Sequence, residues 1–371
     1  MRPAPTPDRT SKGDTTVPTA EDLGWNPYFA SQLGPGDCEP FVPARIVEEQ
    51  KSSYQLWSES GERIGEVAGR MLHAAAERAE LPVVGDWVVV RPRPGGDRAT
   101  IKRILGRRTK FSRKTAGKRT TEQILAANVE CAFIVTSLNR DFSPRRIERY
   151  LTLAWESGSR PVILLSKSDL CPDPGRFVSE VESVAPGVPI LTISAVTGEG
   201  LGEILSYLVR GQTAVLLGSS GVGKSTLINR LLGGPRLRVA PIRESDGRGR
   251  HATTCRQLVL IPGAGMIIDT PGLRELQLWQ SEEGLDHSFE DIRSLAARCR
   301  YNDCRHQSEP GCAVLEARDE GALPPERLAS YRKLQKELAH LSVRQDVFLR
   351  QEQKRKWKQI HKAFRNFNKR G

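Results

Sequence analysis

The sequence predicts a multidomain protein: an N-terminal OB-type β-barrel, a central α/β domain and a C-terminal α-helical domain around a cysteine–histidine cluster. Three observations carry this prediction. Residues 41–110 break into five short, β-branched runs separated by Gly, Pro and Asp. Residues 120–275 alternate apolar strands with amphipathic helices around one Gly-rich loop. Three cysteines and a histidine crowd into residues 299–312.

The chain has 371 residues, room for two or three domains at about 100–200 residues each. Hydrophobic residues make up 38% and charged residues 27%, enough for sizeable cores. No apolar run approaches the roughly 18–20 residues a membrane span needs. The stretch "MRPAPTPDRTSKGDTT" lacks the apolar core of a secretory signal. A cytoplasmic protein without a membrane partner is therefore expected. The net charge of +12 favours a polyanionic partner, and nucleic acid above a membrane surface. Of seven cysteines, Cys38, Cys131, Cys171 and Cys255 are scattered while the rest cluster. That distribution suits a reducing compartment and a metal site better than a disulfide framework.

Residues 1–20, rich in Pro, Thr and charge, read as a disordered tail. "EDLGWNPYFASQL" follows, with Leu23, Trp25, Phe29 and Leu33 spaced for a small docking helix. The runs "FVPARIVEEQ", "SYQLWSE", "RIGEVAG", "GDWVVVRP" and "RATIKRIL" then read as strands. Five strands in so short a span fit an OB-fold, or another small all-β domain. The first domain is placed at 21–112. From Lys102 to Arg119 the chain carries nine Lys or Arg and no acid. Such a run is a solvated linker or, with Phe111 inside it, an RNA contact.

In the central domain, placed at 113–276, the expected strands are "CAFIVTSL", "PVILLS", "PILTIS", "TAVLLG", "RQLVLI" and "GMIID". The expected helices are "SPRRIERYLTLAWESG", "GRFVSEVESVA", "GLGEILSYLVR" and "GKSTLINRLLG". Alternation of this kind implies a mostly parallel sheet with helices on both faces. "GSSGVGKST", Gly218 to Thr226, matches a phosphate-binding loop. Gly218, Gly221 and Gly223 let backbone N–H groups curl round phosphates, and Ser219, Ser220 and Val222 complete the curl. Lys224 supplies charge to the β- and γ-phosphates, and Ser225 a hydroxyl to Mg²⁺. Asp269 ends an apolar strand 45 residues after Lys224, with Gly272 in D-x-x-G spacing. An Asp so placed holds Mg²⁺ through water, and the Gly N–H meets the γ-phosphate. Between these motifs, "DGRGRHATTCRQL" is placed to act as a switch loop, with Thr253 or Thr254 for Mg²⁺.

The base is read upstream. A carboxylate accepts both the N1–H and N2–H₂ donors of guanine, a pair that adenine lacks. Asp169 in "SKSD" (Ser166, Lys167, Ser168, Asp169) is placed to do this, with Lys167 along base and ribose. Ser194 and Ala195 follow a second strand, where a backbone contact to the guanine oxygen is expected. The order is therefore base loop, Ser-Ala loop, phosphate loop, switch Thr, D-x-x-G, which is the order of a circularly permuted GTPase. An intact Lys224, Ser225 and Asp269 count against a vestigial site on an RNA-binding protein. Another RNA-directed P-loop NTPase, translation-type or ATP-using, is the alternative that nucleotide selectivity separates.

In the last domain, placed at 277–371, Cys299, Cys304, His306 and Cys312 form C-x₄-C-x-H-x₅-C. Three thiolates and an imidazole close a structural Zn²⁺ site with no open position. "YRKLQKELAHLSVRQ" reads as helix. From Gln353 to Gly371 there are eight Lys or Arg and no acid, interspersed with Trp357, Phe364 and Phe367, a pattern suited to RNA.

Taken with "EQILAANVECAFIV", "RRIERYL", "SKSDL", "GSSGVGKSTLIN", "GRHATT" and "DTPGLRE", the chain resembles the RsgA (YjeQ) family of small ribosomal subunit biogenesis GTPases over about residues 21–365. The resemblance implies an OB domain, a permuted GTPase domain and a zinc domain. It also implies a late assembly checkpoint on the 30S subunit and its 16S rRNA, with hydrolysis stimulated by that particle. Nothing in the sequence calls for more than a monomer. Two departures matter. Ser166 stands where the family has Asn, and Ala252 begins a run that in the family is three threonines, which favours Thr253 as the Mg²⁺ ligand. Leu273 follows the D-x-x-G, where many GTPases carry a Gln that orients water. His251 is then the candidate catalytic residue, as the resemblance also implies.

Overall fold

The computed structural model describes residues 18–37, 40–114, 122–139, 142–234, 256–269 and 282–339. The first element is a short helix, α1 (Pro27–Ala30), capped by the Asn26 side chain on the Tyr28 N–H. Phe29 within it and Leu23 ahead of it are buried, and Trp25 meets Trp87 edge-on at 4.8 Å.

Five strands then close a barrel: β1 (Val42–Glu49), β2 (Tyr54–Ser58), β3 (Gly61–Val67), β4 (Trp87–Pro92) and β5 (Arg98–Ile104). A helix, α2 (Gly69–Ala74), follows β3. The neighbours run β1-β2-β3-β5-β4, and β4 returns to β1 to close the ring. Only β3 and β5 pair in parallel. The barrel interior holds Ala44, Ile46, Leu56, Val88, Val90, Ala99 and Ile101. Alternate residues of the same strands, Val47, Trp87 and Val89, face outward into the core shared with the rest of the protein. These strands are thus buried on both faces, which is why β4 reads as an unbroken apolar run.

A separate hairpin, β6 (Lys110–Lys114) with β7 (Glu122–Ala127), occupies the basic stretch. The run read as a solvated linker or an RNA contact is in this part a paired strand: Phe111 is buried and anchors it, Lys110 is exposed and Arg113 half-buried.

The central sheet contains β8 (Cys131–Ser137), β9 (Arg160–Ser166), β10 (Ile190–Ile193), β11 (Thr213–Leu217), β12 (Gln257–Leu260) and β13 (Met266–Asp269). The order is β10-β9-β8-β11-β13-β12, all parallel except β12. Helices α3 (Pro144–Ser157) and α4 (Pro174–Glu182) cover one face. Helices α5 (Leu201–Tyr207) and α6 (Lys224–Leu231) cover the other. Alternation along β8 sends Ala132 and Ile134 to the first face and Cys131, Phe133 and Val135 to the second. Strand β12 also pairs with barrel strand β1, so barrel and sheet form one continuous eleven-stranded surface.

The C-terminal part adds α7 (Glu282–Ser288), α8 (Glu290–Ala296), α9 (Ala313–Asp319) and a helix over residues 325–339. Leu285, Ile292, Val314 and Leu328 join the same core as α3. A buried arginine ties barrel to sheet. Arg45 of β1 donates to Leu23 O (2.6 Å), Asn128 O (3.1 Å) and Thr213 Oγ1 (3.0 Å).

Candidate functional site

Parallel strands all point their C-terminal ends one way, so the loops after β8, β9, β10, β11 and β13 gather at one edge of the sheet. The chain leaves β11 with β8 on one side and β13 on the other. That is a topological switch point, where open α/β sheets form a crevice. The motifs that the sequence spreads over a hundred residues meet here.

The loop 218–223 follows β11 and opens α6 at Lys224. Gly218 has φ +151°, and a Cβ there would lie 2.3 Å from Val135 O. Only glycine fits. Gly221 and Gly223 also have positive φ (79° and 101°). Lys224 Nζ folds back onto Gly218 O (2.8 Å) and Ser219 O (2.6 Å). The ammonium thus sits inside the curl of the loop. Ser225 and Thr226 lie half-buried in the first turn of α6.

The base-side loop leaves β9. Lys167 takes a left-handed conformation (φ 63°) and reaches Gly221 O with its ammonium at 2.7 Å. Ser166 Oγ donates to Val222 O at 2.7 Å, with Thr136 O further off at 3.2 Å. The serine that stands where the family has Asn thus ties the loop after β9 to the loop after β11. Ser168 Oγ donates to Glu199 Oε2 (3.0 Å). Asp169 is exposed at the rim, and its Oδ1 accepts from Ser194 Oγ at 2.7 Å. Ser194 in turn accepts the N–H groups of Val196 (3.2 Å) and Thr197 (3.1 Å), which fixes its proton toward Asp169. Ala195 lies beside it, half-buried.

Asp269 ends β13 and is 7% exposed. Its Oδ2 is buried and makes no hydrogen bond among the described residues. Burial pushes its carboxyl above the usual range, and the Lys224 charge opposes this. A buried acceptor with no donor beside a phosphate-type loop is the environment a hydrated divalent cation fits.

Two further residues belong to the crevice whose roles the sequence reading did not assign, although Arg146 lies within "RRIERYL". Arg146 of α3 donates to Ser219 Oγ at 2.6 Å, and Glu199 anchors Ser168 as above. Both contacts span long stretches of chain, so no local pattern announces the partners. His251, Thr253, Thr254 and Gly272 lie outside the described residues, as does the basic stretch from Gln353 to Gly371.

A second cluster lies between α8 and α9. The ligand atoms of Cys299, Cys304, His306 and Cys312 are all within 4.8 Å of one another. Cys299 Sγ and Cys312 Sγ are 3.8 Å apart, and His306 Nδ1 is 3.6 Å and 3.4 Å from them. Zinc–ligand bonds of about 2.3 Å to sulfur and 2.0–2.1 Å to nitrogen give tetrahedral edges of roughly 3.8 Å and 3.5 Å. The set fits such an ion, and the two sulfurs are too far apart for a disulfide.

A model of the RsgA GTPase family matches residues 104–279. A protein of Opitutus terrae named "Small ribosomal subunit biogenesis GTPase RsgA" is 47% identical over 359 residues, covering 94% of this chain and 97% of its own. The chain belongs to the RsgA family. An RsgA of Streptomyces coelicolor is 45% identical, covering 90% of this chain and 91% of its own. Among solved structures, YjeQ from Thermotoga maritima superposes with a TM-score of 0.61 at 27% identity, covering 81% of this chain and 99% of that one. YloQ, described as a circularly permuted GTPase, superposes at 0.58 over 81% of this chain and 96% of its own. At 23% identity it speaks for the fold alone. The permuted order read from the motifs and the OB-type barrel are thus those of the RsgA fold.

Proposed function

We propose that this protein binds GTP in the crevice at the end of β11, hydrolyses it with Mg²⁺, and acts in maturation of the small ribosomal subunit as a late assembly checkpoint. The observation that carries the reading is the hydrogen-bonded union of base loop and phosphate loop beside a buried Asp269 whose Oδ2 makes no hydrogen bond among the described residues. In this reading the N–H groups of 218–226 and Lys224 hold the phosphates. Asp169, oriented by Ser194, accepts from the guanine edge, while Ala195 offers its backbone to the guanine oxygen. A polar site of this kind rejects the wrong base far better than an apolar pocket. Ser225, Thr253 and Asp269 (through water) would hold Mg²⁺, which supplies charge to the β- and γ-phosphate oxygens. Gly272 meets the γ-phosphate, and His251 completes the site in place of the Gln that Leu273 replaces.

The second cluster is assigned to one structural Zn²⁺, since three thiolates and an imidazole leave no coordination position open for chemistry. The partner is the 30S subunit through its 16S rRNA, which the net charge of +12 suits. No helix among the described residues is long and apolar enough to cross a membrane. A cytoplasmic monomer is the corresponding proposal, with domains at 21–112, 113–276 and 277–371.

GTP and ATP hydrolysis, each with and without purified 30S particles, tests the whole. Strong stimulation by 30S with GTP alone is expected. ATP turnover, or indifference to the particle, would overturn it. His251→Ala should abolish the stimulation and spare nucleotide binding.

A further inference from the structure

Helix α3 is gripped in two directions. Near its start, Arg146 Nη1 holds Ser219 Oγ of the phosphate loop at 2.6 Å. One turn on, Arg149 makes a two-pronged ion pair with Glu337 on the helix over 325–339, at 2.6 and 3.2 Å. Between them Glu148, 2% exposed, meets Arg327 of that same helix at 2.9 Å. Arg327 closes twice on Asp291 of α8 (2.6 and 2.7 Å), donates to Ser288 O (3.0 Å) and lies over the Phe289 ring at 4.8 Å. Further along, Thr152 Oγ1 is 3.1 Å from Ser288 Oγ. Gly284 of α7 approaches so closely that a Cβ would stand 2.6 Å from Thr152 O.

These contacts leave α3 little freedom relative to the C-terminal helices. Breaking a buried ion pair by removing one partner is strongly unfavourable, so a shift of those helices carries α3 with it. Arg146 and Arg149 are three residues apart, about 4.5 Å along a stiff helix axis. A displacement at Glu337 therefore reaches Ser219 with little loss.

We infer that α3 couples the C-terminal module to the phosphate loop, with Arg146 as a positioning residue that acts through Ser219. The inference rests on the reading of 218–226 as the nucleotide site. Because coupling between two sites is reciprocal, a partner that grips the C-terminal module changes nucleotide retention, and the nucleotide changes the grip on that partner.

The test uses the full chain and a fluorescent GDP analogue, read as its dissociation rate by stopped flow. Arg149→Glu and Glu337→Arg should each speed release roughly three- to tenfold, a size usual for coupling through a packed network. The double swap, which restores the pair with its charges reversed, should return the rate to within about twofold of the parent. Arg146→Gln should speed release similarly while Arg146→Lys recovers part of it. A merely structural pair would lower thermal stability and leave the rates alone, and that result would overturn the coupling. If a charge-reversed variant does not fold, Arg149→Gln and Glu337→Gln give the same reading, both sites being about a quarter exposed. A parent protein that retains no guanine nucleotide would overturn the nucleotide reading itself, and the coupling with it.

Discussion

The hydroxyl of Ser166 lies 2.7 Å from the carbonyl oxygen of Val222, and this bond joins the loop after β9 to the glycine-rich loop after β11. Two segments 56 residues apart are held as one surface, with Lys167 on Gly221 O as a second tie.

Ser166→Ala should therefore weaken binding of GTP and GDP alike by about fivefold, the ~1 kcal/mol of a typical net hydrogen bond. The preference for GTP over ATP should not move, because Asp169 and Ser194 are untouched. Ser166→Asn, the residue usual in the family, should bind at least as tightly as the parent. Titration of labelled nucleotides decides. A loss of guanine preference in Ser166→Ala would mean that the serine reads the base.

Much of this was legible in the sequence, for reasons visible in particular elements. The barrel strands fall within a few residues of the runs predicted, because β-branched segments between Gly and Pro have few other solutions. The phosphate loop and the cysteine spacing carry their chemistry in local order. The β6–β7 hairpin did not show, since a run of cations resembles a solvated linker until Phe111 is seen to be buried. Arg45 did not show either. An arginine in a strand reads as a surface residue, yet its partners Leu23, Asn128 and Thr213 come from three distant segments. Arg146, Glu199 and Arg327 share that character: their roles exist only once the chain has folded.

Asp269 gives a prediction with a sign. Its folded-state carboxyl is raised by burial above the unfolded value. The folded state therefore binds the proton more tightly, and stability falls as pH rises from the unfolded value through the folded one. Burial disfavours the charged form of this carboxyl, and its Oδ2 makes no hydrogen bond among the described residues. Asp269→Asn should then raise the melting temperature of the nucleotide-free protein at pH 7, by about 2–4 °C for each kcal/mol relieved. The gap should narrow as the pH is lowered toward 4. The same variant should lose Mg²⁺-dependent hydrolysis. A variant that melts lower than the parent at pH 7 would show that the carboxylate is compensated where it sits.

Metal removal separates the two candidate ion sites. The cluster of Cys299, Cys304, His306 and Cys312 lies between α8 and α9, with Cys312 at the start of α9. A strong chelator at neutral pH should release one zinc per chain and make the segment from α8 onward sensitive to protease. Binding of labelled GDP should weaken much less. Cys304→Ser should reproduce the effect. Full retention of protease resistance after the metal is gone would remove the structural role.

Arg327 supplies the last test, because its geometry distinguishes a guanidinium from a mere positive charge. The side chain is 3% exposed and spends its donors on Asp291, Glu148, Ser288 O and Val184 O. A lysine keeps the charge but offers three donors from one point, and cannot span carboxylates approached from two sides. Arg327→Lys should therefore destabilise the protein nearly as much as Arg327→Gln. The loss should approach the roughly 3–5 kcal/mol seen when one partner of a buried pair is removed, since Glu148 stays buried. Urea unfolding followed by tryptophan fluorescence measures it, and protease cleavage between α9 and the helix over 325–339 should rise in parallel. If Arg327→Lys unfolds at the parent's urea midpoint, the fork-shaped network is not what holds these helices to α3, and charge alone suffices.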